Sequence, residues 1–233
     1  MTILSHPLFL SNQRGSGLFI ILIAVALFGA LSYAISRGGG GVRNLSQEKN
    51  RLIASEMIDT GNRFSEIVSI MKLHGIKEDK ISFEYNADYV NAACLSDSCK
   101  VFAYDGGGLE WETPPTNSNG GEDWAFTGDM AVANVGTASA DLIAILPNIS
   151  QEVCHRINVV VGLYDETGTI SIIAPMSLDQ FTGTYKLAPV SLTSANLDGQ
   201  KSGCFYTSSL SGTTIASPPL LTSYVFYQVL IAR

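Results

Sequence analysis

The chain has 233 residues, enough for one domain with an appendage, and 46% of them are hydrophobic. Its formal charge of −7 is unevenly spread, because residues 1–43 carry +3 and residues 74–233 carry −10. An acidic globular part argues against broad binding to a nucleic-acid backbone, which needs clustered lysine and arginine, so no nucleic-acid partner is expected.

The first predicted element is an apolar helix. The stretch from Leu18 to Ile35 carries no charge, and as a helix it spans about 27 Å, just enough for a bilayer core. A secretory signal peptide usually has a shorter apolar region of about 7–15 residues. We therefore predict a retained membrane helix over residues 18–36, with a removed signal peptide, cut near Gly38, as the alternative.

Two signals disagree on which side of the membrane the following domain lies. Only Arg14 precedes the helix, whereas four basic residues follow it closely, and the positive-inside rule would then place the domain in the cytoplasm. The cysteines point to the opposite side. We give the cysteines more weight and expect the domain in the periplasm or outside the cell.

All four cysteines, Cys94, Cys99, Cys154 and Cys204, follow the apolar helix. An even count outside a membrane segment favours two disulfides in an oxidising compartment. The spacing pairs Cys94 with Cys99 in a short loop and Cys154 with Cys204 across about fifty residues. Free buried thiols remain an alternative, and so does zinc, although zinc would need a second close pair of ligands.

The start of the helix carries a family resemblance. A short polar leader that ends in Arg14 and Gly15, followed by an apolar helix, resembles the N-terminus of type IV pilins and pseudopilins. In that family a membrane-embedded peptidase cuts after a glycine that follows a basic residue. The resemblance implies a leader over residues 1–17, processed at Gly15 or Gly17. It also implies a helix that is first a membrane anchor and then the core of a filament with other pilin-like subunits.

The chain departs from this family at one position. Pilins usually carry a glutamate at the fifth mature position, which pairs with the N-terminal amine of a neighbour. Cleavage after Gly17 places Leu22 there, and cleavage after Gly15 places Ile20. Some minor pseudopilins also lack the acid, so the resemblance implies a minor subunit.

A glycine-rich hinge over residues 37–43 separates the apolar helix from a second, amphipathic one. Asn44 is the predicted N-cap of this helix, which extends over residues 45–73, and Gly75 is its predicted C-cap. Its apolar stripe repeats at spacings of three and four and comprises Ile53, Met57, Thr60, Phe64, Ile67, Val68 and Met71. We predict that the stripe packs on the protein's own sheet, with neighbouring subunits as the alternative.

The rest of the chain predicts an α+β domain over residues 44–233 with a mainly antiparallel sheet and one inserted helix. Alternating or compact apolar residues predict strands at 81–85, 100–104, 124–135, 141–147 and the C-terminal run "SYVFYQVLIAR". Pro147 is expected to end its strand. The inserted helix is expected over residues 148–163, capped by Asn148 and ended by Gly162.

No catalytic motif is present, so we expect no enzyme and no cofactor. The loop 105–123 is acidic and is predicted to be solvated, with calcium binding as the alternative. Its acids are Asp105, Glu110, Glu112, Glu122 and Asp123. Trp111 and Trp124 are interpreted as separate packing anchors, too scattered for a stacking platform. The leading hypothesis is therefore a structural subunit of a pilus-like or pseudopilus-like assembly, and the alternative is a single-pass, membrane-anchored extracytoplasmic binding protein.

Overall fold

A computed structural model describes residues 16–37, 41–163, 173–177, 179–194, 196–211 and 223–233 of the chain. The helices in these ranges are α1 (Ser16–Arg37), α2 (Gly41–Leu73) and α3 (Gln151–Val160). The strands are β1 (Ala125–Val132), β2 (Asp141–Ile149), β3 (Ile173–Ser177), β4 (Val190–Leu192), β5 (Ser202–Ser211) and β6 (Ser223–Ile231). The predicted α+β class is confirmed. The chain divides into two compact units, Met1–Gln47 and Glu48–Arg233.

α1 is apolar along most of its length, with Ser32 inside the apolar segment and Arg37 at the C-terminal end. Its segment Gly17–Ala34 has a mean hydropathy of 2.4, and among the described residues it is the one helix long and apolar enough to cross a membrane. The side chains along this segment are exposed, for example Leu18 at 74% and Phe28 at 72%. Gly17 lies in the first turn, whereas Arg14 and Gly15 of the predicted processing site lie outside the described residues. Residues 38–40 of the predicted hinge also lie outside them.

α2 begins earlier than predicted. It starts at Gly41, so Asn44 lies inside the helix and is not its N-cap. Glycine is tolerated at a helix N-terminus, where it costs only a few tenths of a kcal/mol relative to the best caps. At the other end the prediction is confirmed: Gly75 has φ +88°, its N–H donates to Lys72 O (2.9 Å), and the Ile76 N–H donates to Met71 O (3.1 Å). This pair of bonds is a Schellman motif.

The apolar stripe of α2 packs on the domain's own core, as predicted. Met57, Phe64 and Val68 are almost fully buried in the main hydrophobic cluster. Gly61 shows how closely the helix approaches the sheet, because a Cβ atom there would lie 3.1 Å from the Cβ of Gln228 on β6. Any larger side chain at this position would push the helix away from the strand.

The sheet is mixed, with strand order β3-β5-β6-β2-β1-β4. The four central strands pair antiparallel, as predicted, whereas the edge strands β3 and β4 each pair parallel to their neighbour. β6 lies in the middle and is buried on both faces, which the sequence also predicted. On β2, Leu142 and Ala144 face the helices while Ile143 and Ile145 face a second apolar cluster.

The prediction of strands at 81–85 and 100–104 is wrong, because the structure has no named strand in either segment. The segments meet in a single parallel bridge between Ser82 and Lys100. The first segment ends at once in a two-residue turn, because Asn86 and Ala87 both have positive φ. The second coils back, since the Gly107 N–H donates to Lys100 O (2.9 Å). The alternation nevertheless marks buried side chains, because Ile81, Phe83 and Val101 are 0% exposed.

Pro147 does not end its strand, and Asn148 does not cap the next helix. β2 continues to Ile149 through a register shift at Pro147 and Asn148. A bulge tolerates proline because no ladder hydrogen bond is required from its missing N–H. Ser150 is the cap of α3 instead, and its Oγ accepts a hydrogen bond from the Val153 N–H (3.2 Å). Gly162, with φ +79°, follows the end of α3 as predicted.

The two disulfides join the pairs that the spacing predicted. Cys94 and Cys99 have Cα atoms 5.7 Å apart, and Cys154 and Cys204 have Cα atoms 5.4 Å apart. The second bond attaches α3 to β5. Asn158 reinforces it, because its side chain donates to Cys204 O (2.9 Å) and accepts from the Cys204 N–H (2.8 Å).

Candidate functional site

The acidic loop 105–123 precedes β1, and two of its acids, Glu112 and Glu122, bind different partners. Both carboxylate oxygens of Glu112 accept hydrogen bonds from the guanidinium of Arg63 on α2, at 2.9 and 2.5 Å. This hydrogen bonding lowers the pKa of Glu112 and raises that of Arg63. Glu122 instead accepts from the side-chain amide of Asn148 (2.6 Å). The described residues contain no group of three or more His, Cys, Asp or Glu placed to hold a metal ion.

A small open cleft with a cavity volume of about 40 Å³ lies beside this loop, where the turn after residue 85 meets the start of β1. Aromatic rings form its walls and two carboxylates stand beside them. The lining residues are Tyr85, Asp88, Tyr89, Trp111, Asp123, Trp124 and Ala125. Three separate segments of the chain therefore contribute to one concave surface.

The aromatic walls are held by ring-to-ring packing. The rings of Tyr85 and Trp111 stack with their centroids 4.3 Å apart and their planes 12° apart. Phe102 packs edge-on against Trp111 at 5.0 Å, and Phe64 of α2 packs edge-on against Trp124 at 5.3 Å. Such pairs add about 0.5–1.5 kcal/mol each beyond the area they bury, so the walls are preformed.

The backbone at the edge of the cleft is strained. Tyr85 and Asp88 exchange two backbone hydrogen bonds (3.2 and 2.9 Å) around the turn formed by Asn86 and Ala87. Ala87 has φ 70° and Tyr89 has φ 57°, in the left-handed region that an aromatic side chain rarely adopts. Each such residue costs about 1–3 kcal/mol, and outliers of this kind cluster at binding sites.

The cleft carries unbalanced negative charge. Asp88 and Asp123 have no ion-pair partner among the residues that the structure describes. Burial raises the pKa of the Tyr89 phenol, and the charges of both aspartates raise it further. The neighbouring Lys100 does not neutralise them, because its Nζ is 3.2 Å from Glu84 and 3.1 Å from Asp97.

Trp124 lines the cleft and is 2% exposed. Its Nε1–H is buried and has no acceptor among the described residues. Leaving a buried donor unpaired costs about 1–3 kcal/mol, and native proteins contain few such groups. The strained turn at Asn86 and Ala87 lies at the edge of the cleft, and such departures from local stability are typical of binding sites.

The interpretation of Trp111 and Trp124 as scattered anchors is wrong in one respect. Each ring does pack, but the fold brings both to the same cleft. The sequence feature that could have indicated the cleft is that acidic and aromatic residues are neighbours twice, in "YNADY" at 85–89 and in "EDW" at 122–124. The strands predicted at 81–85 and 100–104 hid it, because an extended strand would have carried Tyr85 away from Tyr89.

Comparisons of the chain with protein-family models, with curated proteins and with solved structures found no match. The function is therefore argued from the two features described above, the apolar helix and the aromatic cleft.

Proposed function

We propose that this protein is a structural, non-enzymatic subunit of a pilus-like or pseudopilus-like assembly. One observation carries the proposal. α1 exposes an unbroken apolar surface, whereas the amphipathic helix α2 is held by its own sheet in a disulfide-bonded domain. A helix that is apolar all round must be covered by lipid or by other helices. In this proposal α1 first anchors the chain in a membrane and later packs with other pilin-like subunits.

The proposal places the α+β domain outside the cytoplasm. Disulfides persist in oxidising compartments, and the described domain contains two of them. The Arg14–Gly15 leader supports processing by a peptidase of the pilin type. Leu22 or Ile20 at the fifth mature position supports a minor subunit, because neither side chain offers a carboxylate to a neighbour's amine.

The N-terminal mass of the full-length protein extracted from membranes tests the assembly proposal. A mature chain that starts at Ser16 or Leu18 supports it. Intact Met1 would instead identify a plain anchor, and a start near Gly38 would identify a removed signal peptide. Gly15→Val and Gly17→Val form a matched pair of variants, because only the substitution at the true site should block cleavage.

The minor-subunit assignment has its own test. A buried charge without a partner is expensive, so a subunit that lacks the acid belongs where no neighbour demands that pairing. The purified full-length protein in detergent should stay monomeric, or join other subunits, and should not polymerise alone. Long homopolymeric fibres seen by electron microscopy would contradict this assignment.

A second candidate function is a single-pass, membrane-anchored extracytoplasmic binding protein. The preformed aromatic cleft with its two aspartates favours it, since ligand sites are concave and combine apolar walls with a few polar groups. In this case α1 would remain in the membrane as an uncleaved anchor. The same N-terminal mass measurement distinguishes the two candidates.

A further inference from the structure

We propose that the cleft between Tyr85 and Trp124 binds a small organic ammonium ion. The inference does not depend on the assembly proposal, because it uses no residue of α1. It would give the second candidate function its class of ligand.

The charges at the cleft select a cation. Asp88 and Asp123 lie at the same concave surface, and both act on the Tyr89 phenol. The nearest cations of the domain are already engaged, since Arg63 binds Glu112 and Lys100 binds Glu84 and Asp97. Two carboxylates without partners, in a part of the chain that carries −10, repel anions and attract a positive ligand.

The aromatic walls select an organic cation over a metal ion. Metal sites for hard cations need several converging oxygen ligands, and the described residues provide no such group. Tyr85, Tyr89, Trp111 and Trp124 instead line one opening; Tyr85 and Trp111 stack on each other, and Tyr89 and Trp124 are 4% and 2% exposed. Aromatic rings attract ammonium groups through their quadrupoles, and aromatic-lined sites recognise alkylated ammonium ions.

The size of the cleft limits the ligand. Its cavity volume of about 40 Å³ is far below that of a site for a drug-sized ligand, so the cleft admits only a compact ammonium head group, with the rest of the ligand in solvent.

Indole fluorescence of the full-length protein in a nonionic polyoxyethylene detergent tests the proposal. The chain has two tryptophans, Trp111 and Trp124, and both line the cleft, so their emission reports on it directly. Choline chloride should change the emission saturably at constant ionic strength. Its uncharged carbon isostere, 3,3-dimethylbutan-1-ol, should bind at least about tenfold more weakly, because it keeps the shape and lacks the charge.

Substitutions at the two aspartates locate the site. Asp88→Asn and Asp123→Asn should each weaken choline binding by about three- to tenfold. Asp105→Asn is the matched control, since Asp105 is an exposed acid outside the cleft, and it should leave the affinity unchanged. Equal binding of choline and its isostere, equal effects of the three variants, or no saturable change would each overturn the proposal.

A last arm identifies the source of the ammonium group. Butylammonium represents a free amine, and N-acetyl-lysine amide represents a lysine side chain of a protein. Where choline binds saturably, the tighter of these two amines names the source, and failure of both identifies a quaternary ammonium ligand. Absence of saturable choline binding rejects the inference while leaving the assembly proposal to its own test.

Discussion

The helices α1 and α2 follow one another in the chain but differ in the burial of their apolar side chains. Every described side chain from Gly17 to Ala34 of α1 is exposed. In α2 one stripe is buried, with Met57 and Val68 at 0% exposure, and the opposite face carries charge. α2 therefore buries its apolar stripe in the core of its own domain, whereas the apolar side chains of α1 are exposed.

This difference separates two kinds of information in the sequence. An amphipathic pattern indicates which face of a helix is buried and thus predicts a surface of matching shape. In a helix that is apolar all round, the pattern does not indicate what covers it, because lipid and a bundle of helices can both cover an apolar surface. Changes in α1 should therefore alter location and assembly, and changes in α2 should alter the stability of the domain.

The largest effect is expected from substitutions that make α1 too polar to insert into a membrane. Val25→Arg combined with Phe28→Arg places two charges near the middle of the apolar segment, and each costs about 2.5–3.5 kcal/mol on insertion. The double variant should leave the membrane fraction on alkaline carbonate extraction, and the thermal unfolding midpoint of its α+β domain should stay unchanged. Val25→Ala with Phe28→Ala is the control. Unfolding of the domain by the charged pair would show that α1 packs on it.

The converse substitution lies on α2. Phe64→Ala removes a ring that packs edge-on against Trp124 and Phe126, each at 5.3 Å. It should lower the free energy of unfolding by about 3–5 kcal/mol without changing membrane retention. Leu52→Ala on the same helix is the matched control, because Leu52 is 63% exposed and its loss should cost no more than about 0.5 kcal/mol. Equal losses from both variants would contradict the assigned buried face.

The disulfides extend the comparison of α1 with the α+β domain, because both disulfides lie within the domain. Replacing Cys154 and Cys204 by alanine opens a loop of 50 residues and should cost about 4 kcal/mol, whereas replacing Cys94 and Cys99 opens a loop of 5 and should cost about 2 kcal/mol. Denaturant unfolding of the two double variants measures the difference. A larger loss at the short loop would show that Cys94 and Cys99 have a role beyond loop closure.

The sequence predicted the parts of the fold that depend on periodicity. The stripe of α2, the C-cap at Gly75, the buried strand β6 and both cysteine pairs follow from spacing and composition. β5 was not predicted, because its serines and glycine resemble a turn and only the neighbouring strands make it part of a sheet.

The candidate site was largely invisible for a related reason. Its walls come from three segments, and their meeting depends on the turn at Asn86 and Ala87. Positive φ at an alanine is not encoded by the local pattern, since alanine favours helix and gives no turn signal. The alternation of apolar and polar residues at 81–85 and 100–104 identified the buried side chains correctly. It did not indicate that the chain turns back after each segment.

The smallest expected effect concerns the polar face of α2. Arg63 joins this face to Glu112 of the acidic loop. Side-chain exposures of 37% and 49% make this a surface pair, so Glu112→Gln should cost about 0.5 kcal/mol at neutral pH.

Because the pKa of Glu112 is lowered in the folded protein, its contribution is present above the unfolded pKa and is lost as the pH falls through the lowered value. The stability difference between wild type and Glu112→Gln should therefore vanish in acid, as thermal unfolding between neutral pH and about pH 3 would measure. Glu110→Gln, two residues away and with no ion pair among the described residues, is the control and should leave the stability unchanged. A difference that persists in acid would mean that Glu112 stabilises the loop by packing and that its charge is not the cause.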